Sequence, residues 1–182
     1  MIPVSKSLCV AAVVCAVMAP VALAAAIDGT NNGETIIATN GADSIDAKGG
    51  SDIVWGLRGK DTINGGSGND VLNGDGTCMA GAGSGSYCDG GETAGDGDDT
   101  LKGGDGNDTV SGQGGKDTIS GGDGSDTLIG GSGADSVSGG EGNDTIKVKD
   151  GTRDTVSCGS GRDSVTADAI DAITHDCETV NH

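Results

Sequence analysis

One aliphatic side chain recurs every nine residues along most of the chain, in most repeats with polar residues on either side of it. The series comprises Ile45, Val54, Ile63, Leu72, Leu101, Val110, Ile119, Leu128, Val137, Ile146, Val156 and Val165. Nine residues make 2.5 turns of an α-helix, so successive members would face opposite sides, and a helix is excluded. The pattern predicts that each nonapeptide forms a six-residue turn and a three-residue strand with its central aliphatic pointing inward.

An aspartate stands two residues before each of these aliphatics, at the end of a glycine-rich turn. An antiparallel meander could share the nine-residue period, but it would not need aspartate at one fixed turn position. In a parallel solenoid, equivalent turns stack about 4.8 Å apart, and a divalent cation between them would relieve the repulsion of their carboxylates. The aspartates are Asp43, Asp52, Asp61, Asp70, Asp99, Asp108, Asp117, Asp126, Asp135, Asp144, Asp154 and Asp163.

The composition excludes a conventional globular core. Among 182 residues there are 37 glycines, no phenylalanine and one tryptophan, and the formal net charge is -18. A helical bundle or an α/β enzyme needs more large apolar side chains than this. Low hydrophobicity with high net charge is typical of disordered chains. Only the regular repeat predicts that this chain folds. The acidic charge argues against nucleic acid or an anionic membrane as a partner.

Residues 1–26 have the pattern of a secretory signal peptide. Lys6 precedes an apolar stretch, and small residues at 22–24 or 24–26 offer a cleavage site. A transmembrane anchor is the alternative interpretation. Cleavage after Ala26 would leave nine basic residues against all 28 acidic ones, a formal charge of -19. We therefore expect Sec-type export and an extracellular protein without a membrane-inserted segment.

The repeat resembles that of the RTX family of calcium-binding nonapeptides, GGxGxDxUx. The resemblance covers roughly residues 41–165 and is clearest in GGSGNDVLN (65–73), GGDGNDTVS (103–111) and GGEGNDTIK (139–147). It implies an all-β parallel β-roll, a form of β-solenoid, that is largely unfolded without calcium. Calcium would lie between turns, bound by the twelve sixth-position aspartates and by main-chain carbonyl groups. The turn residues implied beside those aspartates are Gly104, Asp105, Gly106, Gly122, Asp123, Gly124, Gly131, Gly133, Gly140 and Gly142.

The number of turns sets an upper limit on the number of calcium ions. If twelve turns alternate between two sides, each side has six turns and at most five gaps. Degenerate turns reduce the expected total to about six to nine ions. The turns AKGGSD (47–52) and GLRGKD (56–61) lack one or both leading glycines, and Lys60 and Lys116 directly precede their aspartates. We expect weaker calcium binding at these turns.

An insertion interrupts the repeats between Asp70 and Asp99. Their spacing of 29 equals one repeat plus twenty residues, so the two sides of a solenoid could remain in phase. We expect a projecting loop at 74–94, between a degenerate repeat run at 27–73 and a regular run at 95–165.

Four cysteines follow the leader: Cys78, Cys88, Cys158 and Cys177. Disulfides are the default in an oxidising compartment, and three pairings are possible. The local pairing, Cys78 with Cys88 and Cys158 with Cys177, would close the insertion and tie down the tail. Zinc is the competing interpretation, but no pair has CxxC spacing. The tail at 166–182 breaks the nine-residue spacing and is expected to cap the solenoid; it resembles the ending of small secreted actinobacterial proteins with these repeats.

The sequence supports a binding or structural role more than catalysis. His175 is the only histidine apart from terminal His182, and there is no HExxH motif. The repeats occupy so much of the sequence that no separate catalytic domain is expected. We expect no enzyme activity. The first hypothesis is a calcium-binding structural module of the cell envelope or matrix. The alternative is an adhesin or ligand-binding solenoid, including an ice-binding one, that uses the insertion or outward rows such as Thr100, Thr109, Thr118, Thr127 and Thr145; the protein or glycan partner stays open.

Overall fold

The computed structural model describes residues 24–75 and 97–182, and the backbone of Val13–Cys15. Within these residues every regular element is a β-strand, and no helix is long and apolar enough to cross a membrane. The strands are β1 Val13–Cys15, β2 Ala26–Asp28, β3 Thr35–Ile37, β4 Ser44–Asp46, β5 Ile53–Leu57, β6 Thr62–Ser67, β7 Val71–Asp75, β8 Thr100–Asp105, β9 Thr109–Gly114, β10 Thr118–Asp123, β11 Thr127–Ser132, β12 Ser136–Glu141, β13 Thr145–Lys147, β14 Thr155–Ser160, β15 Ser164–Thr166, β16 Ala172–Ile173 and β17 Thr179–Asn181.

The strands form two parallel sheets that wind as a solenoid. All odd-numbered strands lie in one sheet and all even-numbered strands in the other, so each strand pairs with the strands two places before and after it. The register follows the repeat, since Ile119 pairs with Leu101 on one side and Val137 on the other. The predicted all-β parallel roll is therefore confirmed, and the antiparallel meander is excluded. We call one odd strand, one even strand and their two turns a coil.

The core is a double row of single aliphatic side chains. All twelve aliphatics of the predicted series are buried, none more than 2% exposed. Nine of the twelve lie between two polar neighbours, as Val110 does between Thr109 and Ser111. The other three, Val54, Leu72 and Leu128, have an apolar residue on at least one side. Ile27 and Ile36 extend the same rows toward the N-terminus. A core that is one side chain wide leaves no space for phenylalanine, which the sequence lacks.

The strands of the regular run are longer than the sequence predicts. Strands such as β10 and β12 have six residues rather than three. Pairing continues past the aliphatic triplet, skips Gly121, and resumes at Gly122 with Gly140. Parallel backbones can approach there because both partners are glycine, which the prediction assigned wholly to the turn.

The two sheets stay in phase across the insertion. β6 pairs with β8 and β7 pairs with β9, so Asp61 and Asp99 occupy equivalent places in successive coils. The roll continues up to Asp75 and is described again from Gly97. Cys78 and Cys88, with the disulfide predicted between them, lie outside the described residues, as does most of the expected leader.

The C-terminal tail continues both sheets, although it departs from the nine-residue spacing as predicted. β16 pairs in parallel with β14, and β17 with β15. The predicted Cys158–Cys177 disulfide is present, with its Cα atoms 5.2 Å apart. The tail departs from nine-residue spacing, but it keeps the local order of an acid followed two residues later by an aliphatic: Asp171 before Ile173, and Glu178 before Val180. That order is enough to extend a parallel ladder.

Candidate metal centre

The acidic residues of the turns stack into two columns, one beside each sheet. Each member directly precedes a strand whose inward aliphatic anchors the coil, so the winding of the solenoid fixes its height. The first column contains Glu34, Asp52, Asp70, Asp108, Asp126, Asp144, Asp163 and Glu178. The second contains Asp43, Asp61, Asp99, Asp117, Asp135, Asp154 and Asp171.

Hydrogen bonds join the members of each column. The main-chain N–H of each acid donates to one carboxylate oxygen of the acid in the following coil. Asp108 donates to Oδ1 of Asp126 at 2.8 Å, and Asp117 donates to Oδ1 of Asp135 at 2.9 Å. The same bond spans the insertion, from Asp61 to Oδ1 of Asp99 at 2.7 Å. Each carboxylate is therefore held in one orientation, with its second oxygen turned into the column.

That second oxygen has no partner in most of the turns. In the described part of the chain, Oδ2 is buried without a hydrogen bond in Asp52, Asp61, Asp70, Asp99, Asp108, Asp117, Asp126, Asp135, Asp144, Asp154 and Asp163. These side chains are at most 3% exposed. A buried anionic oxygen without a partner is unfavourable by several kcal/mol in ordinary proteins. Eleven of them in two ordered rows indicate a cation as the missing partner.

Main-chain groups of the glycine turns surround these oxygens. A Cβ added to Gly103, the first residue of its turn, would collide with Oδ2 of Asp108 and lie 2.6 Å from the carbonyl oxygen of Gly121. A Cβ on Gly104 would overlap the carbonyl oxygen of Gly66 in the preceding coil. Glycine thus leaves room in which carboxylate and carbonyl oxygens converge. The second- and fourth-position glycines of the regular turns have positive φ, as predicted for this shape: Gly104, Gly106, Gly122, Gly124, Gly131, Gly133, Gly140 and Gly142.

Burial raises the pKa of ten column aspartates: Asp52, Asp61, Asp70, Asp99, Asp108, Asp117, Asp126, Asp135, Asp144 and Asp154. The pKa of Asp61 and of Asp117 rises to about 7, chiefly by desolvation, and backbone hydrogen bonds offset only part of the effect. Desolvation likewise raises the pKa of Asp99, Asp108, Asp144 and Asp154 to about 6. Neighbouring carboxylates in the column add to the increase. In the absence of a cation, these carboxylates therefore take up protons at a higher pH than an ordinary aspartate does.

Three of the four column ends are closed by protein groups. Both oxygens of Asp43 accept hydrogen bonds from Thr39, and both oxygens of Glu34 accept from Thr30. In the last coil, Asp171 accepts from the N–H groups of Asp154 and Asp168 at 3.0 and 2.6 Å. At these ends a threonine or a backbone N–H provides the partner for the carboxylate oxygen that a cation would provide elsewhere in the column. Asp43, predicted to bind calcium, differs in this respect from the other eleven aspartates.

Sequence reasoning missed three members of the columns. Glu34, Asp171 and Glu178 lie outside GGxGxD turns, so the glycine motif does not mark them. Glu178 accepts from the N–H of Asp163 at 2.8 Å, as a repeat aspartate would. The acid-x-aliphatic order, without any requirement for glycine, would have found all three.

The third turn position does not contribute its side chain to the columns. Asp105 and Asp123 are exposed, although their main-chain carbonyl oxygens accept from the N–H groups of Gly68 and Gly106. Lys60 and Lys116 also lie on the surface of their turns. Three second-position residues other than glycine adopt the left-handed conformation: Lys48, Leu57 and Gln113, with φ between 76° and 79°.

The chemistry of the donors fits a hard divalent cation. In residues 24–75 and 97–182, no three carboxylate, imidazole or thiol side chains group closely enough to hold a metal by themselves. An ion in the columns would therefore need main-chain carbonyls beside the carboxylates. Calcium accepts six to eight such oxygens in flexible geometry, whereas zinc favours four nitrogen or sulfur ligands.

Comparison with known families agrees with this geometry. The profile of the RTX calcium-binding nonapeptide repeat matches four overlapping segments, residues 28–63, 46–76, 93–128 and 120–152. No curated protein shows significant sequence similarity to the chain. The four segments cover more than half of the 182 residues and contain eleven of the fifteen column acids. The chain therefore belongs to the family of RTX calcium-binding nonapeptide repeat proteins.

Proposed function

We propose that this protein is a secreted calcium-binding β-roll that folds when calcium enters its two carboxylate columns. The observation that carries the proposal is the row of eleven buried, unpartnered Oδ2 atoms. Calcium supplies the positive charge and the oxygen coordination that these atoms lack. The leader-like pattern at 1–26 supports export to a compartment where calcium is abundant.

The columns suggest how many ions the roll holds. Counting only gaps between two unpartnered aspartates gives five in the first column, from Asp52 to Asp163, and four in the second, from Asp61 to Asp154. About nine calcium ions would carry about 18 positive charges, close to the formal -19 expected after removal of the leader. The gap below Asp61 is not counted, because Thr39 already satisfies Asp43.

Calcium binding and folding are one process in this proposal. The core consists of single aliphatics, which contribute roughly 1.5–3 kcal/mol each, against an ordering entropy of about 1.5 kcal/mol for every residue. The ion-free roll must also bury stacked carboxylates. The ligands come together only in the folded state, so the binding free energy of the ions becomes folding free energy.

The role that fits this site best is structural rather than catalytic. The carboxylates that have unusual environments are spread along the whole roll instead of meeting in one cleft. A rod-like module of the envelope or matrix that becomes rigid outside the cell fits that distribution.

An adhesin or other ligand-binding solenoid is the second candidate, because the outer threonines form ordered rows. Thr109, Thr127 and Thr145 pair in register on the odd sheet, and Thr100 pairs with Thr118 on the even sheet. Such a regular flat array is suited to a repetitive ligand surface. Replacing Thr109, Thr127 and Thr145 by lysine should abolish adhesion while leaving the calcium-bound circular dichroism spectrum unchanged; adhesion that survives this change argues against the rows.

Circular dichroism with calcium and with excess EGTA tests the main proposal. We expect β-structure in millimolar calcium, its loss in EGTA, and its return when calcium is restored. Magnesium at the same concentration serves as the control, because its strict octahedral geometry suits these columns poorly. A β-spectrum that is the same in EGTA as in calcium would refute calcium-driven folding.

A further inference from the structure

The turn that carries the insertion contains an additional carboxylate, Asp75, at a position where the repeat has glycine. The strand register pairs Asp75 with Leu57, which places it at the second turn position. Gly97, the first described residue after the insertion, takes the fourth position, since a Cβ on it would overlap the carbonyl oxygen of Gly59 in the preceding coil. Residues 76–96 therefore stand in the sequence between the second and fourth positions of one turn. We call Gly74, Asp75, Gly97 and Asp99 the neck.

The Asp75 side chain lies inside the turn rather than on its surface. It is only 7% exposed, whereas third-position acids such as Asp105 and Asp123 are exposed. Its two carboxylate oxygens lie 3.3 and 3.2 Å from the main-chain nitrogen of Gly97, which donates to them. The carboxylate therefore links the end of β7 to Gly97, on the other side of the insertion.

Asp99, at the same neck, has the unpartnered oxygen that a cation requires. Asp99 is 1% exposed, and its Oδ2 atom is buried without a hydrogen bond. That oxygen faces Gly74, the residue before Asp75, where an added Cβ would collide with it. The other oxygen, Oδ1, would lie 2.9 Å from a Cβ on Gly97. The two oxygens of Asp99 thus face both halves of the neck.

Main-chain carbonyls complete the set of oxygens at the neck. The carbonyl oxygen of Gly59 faces Gly97 from the preceding coil, and that of Gly112 would lie 3.0 Å from a Cβ on Gly74 in the following coil. The negative charge of Asp75 is also among the causes that raise the pKa of Asp61 and of Asp117, its neighbours in the column. The neck therefore carries more negative charge than an ordinary turn. Its carboxylates are too few to bind a metal by themselves, so main-chain oxygens must complete the coordination.

We propose that Asp75 and Asp99, with the carbonyl oxygens of Gly59 and Gly112, hold a divalent cation at the neck of the insertion. This inference rests on the proposed calcium-dependent folding, but it assigns a ligand outside the repeat motif. The ion joins the two chain segments that flank 76–96 and so fixes the base of the insertion to the roll. The additional carboxylate makes this one of the most tightly held ions in the molecule.

Calcium titration calorimetry on the full mature chain tests the neck site. In Asp75→Asn, one of the tightly bound ions should be lost or bound at least about tenfold more weakly. Asp105→Asn is the matched control, because it removes one acid from an exposed turn position and should change calcium affinity by less than about twofold. Asp75→Gly restores the glycine of the repeat, so it should fold in calcium and show the same loss even if the asparagine variant folds poorly.

Terbium luminescence excited through Trp55, the only tryptophan, gives an independent measurement. Trp55 pairs with Asn73, two residues before Asp75, and so lies in the coil next to the neck. We expect the first terbium equivalent to give the strongest sensitised emission in the wild type, and a weaker one in Asp75→Gly. Variants that bind as many ions as tightly as the wild type would overturn the neck site alone. A wild type that binds no calcium would instead refute the proposed function.

Discussion

At the residue scale, the position of an aspartate within the turn decides what it does. Asp126 in the first column and Asp123 three residues earlier have the same side chain, but only Asp126 is buried with an unpartnered Oδ2. Asp123 contributes a main-chain carbonyl to the coil and keeps its carboxylate in solvent. Composition alone therefore overstates the number of binding carboxylates.

Asp126→Asn and Asp123→Asn separate these two roles. The amide retains an acceptor for the N–H of Asp108 but removes the charge that attracts an ion in the gaps on either side. We expect Asp126→Asn to raise the calcium concentration at the folding midpoint roughly tenfold. Asp123→Asn should change it less than about twofold, as expected for an exposed charge. Circular dichroism during a calcium titration measures both, and equal midpoints would contradict the assignment of the columns.

Gln113 shows the cost of departing from glycine at the second position. Its φ of 79° lies in the left-handed region, which is unfavourable by about 1–2 kcal/mol for a residue with a Cβ. Gln113→Gly should relieve this strain. Glycine makes the unfolded chain more favourable by about 0.5–1 kcal/mol, so the net gain is smaller, but the melting temperature in saturating calcium should still rise. Ser111→Gly, in the extended part of the same strand, should lower it. A lower melting temperature for Gln113→Gly would show that the glutamine side chain makes a compensating contact.

At the element scale, the sequence predicts the repeating part of each coil and misses its ends. The single inward aliphatic and the sixth-position aspartate follow from a strict period, so all twelve core positions are confirmed. Glu34, Asp171 and Glu178 extend the columns without glycine turns, because a parallel ladder needs only an inward aliphatic beyond the acid. Asp75 was missed for a different reason: nothing in the sequence shows at which position of the turn the insertion begins. Six-residue strands were missed because glycine was assigned only to turns.

The Cys158–Cys177 disulfide should stabilise the last coil more than the middle of the roll. A bridge across 19 residues restricts the unfolded chain by about 3 kcal/mol in the chain-entropy model. The double variant Cys158→Ser/Cys177→Ser should therefore melt at a lower temperature in calcium. Hydrogen exchange should rise first in β16 and β17, while the coils around Val110 stay protected. Uniformly faster exchange along the roll would contradict a local effect.

At the scale of the whole molecule, protons and calcium compete for the same columns. Six column aspartates have pKa values of about 6 to 7 in the roll, against 3.8 as the ordinary value: Asp61, Asp99, Asp108, Asp117, Asp144 and Asp154. Between pH 4 and 7 the ion-free roll therefore binds more protons than the unfolded chain, and its stability falls as the pH rises across this range. Calcium removes the need for these protons when it binds.

The expected pH dependence has opposite signs with and without calcium. In excess chelator, lowering the pH from 8 to 5 should increase the β-structure of the chain, because neutral aspartates are buried more readily. In limiting calcium, the same change should weaken calcium binding, because protons occupy the ligands. Circular dichroism at several pH values with fixed free calcium measures both trends. An ion-free chain that loses residual structure on acidification would contradict the raised pKa values.

Isothermal titration calorimetry with calcium, followed by circular dichroism of the same samples, tests the central claim most directly. The account predicts about nine ions for each mature chain, bound as β-structure appears, since about nine gaps lie between unpartnered aspartates. Binding of only one or two ions, or complete binding without any gain of β-structure, would contradict it.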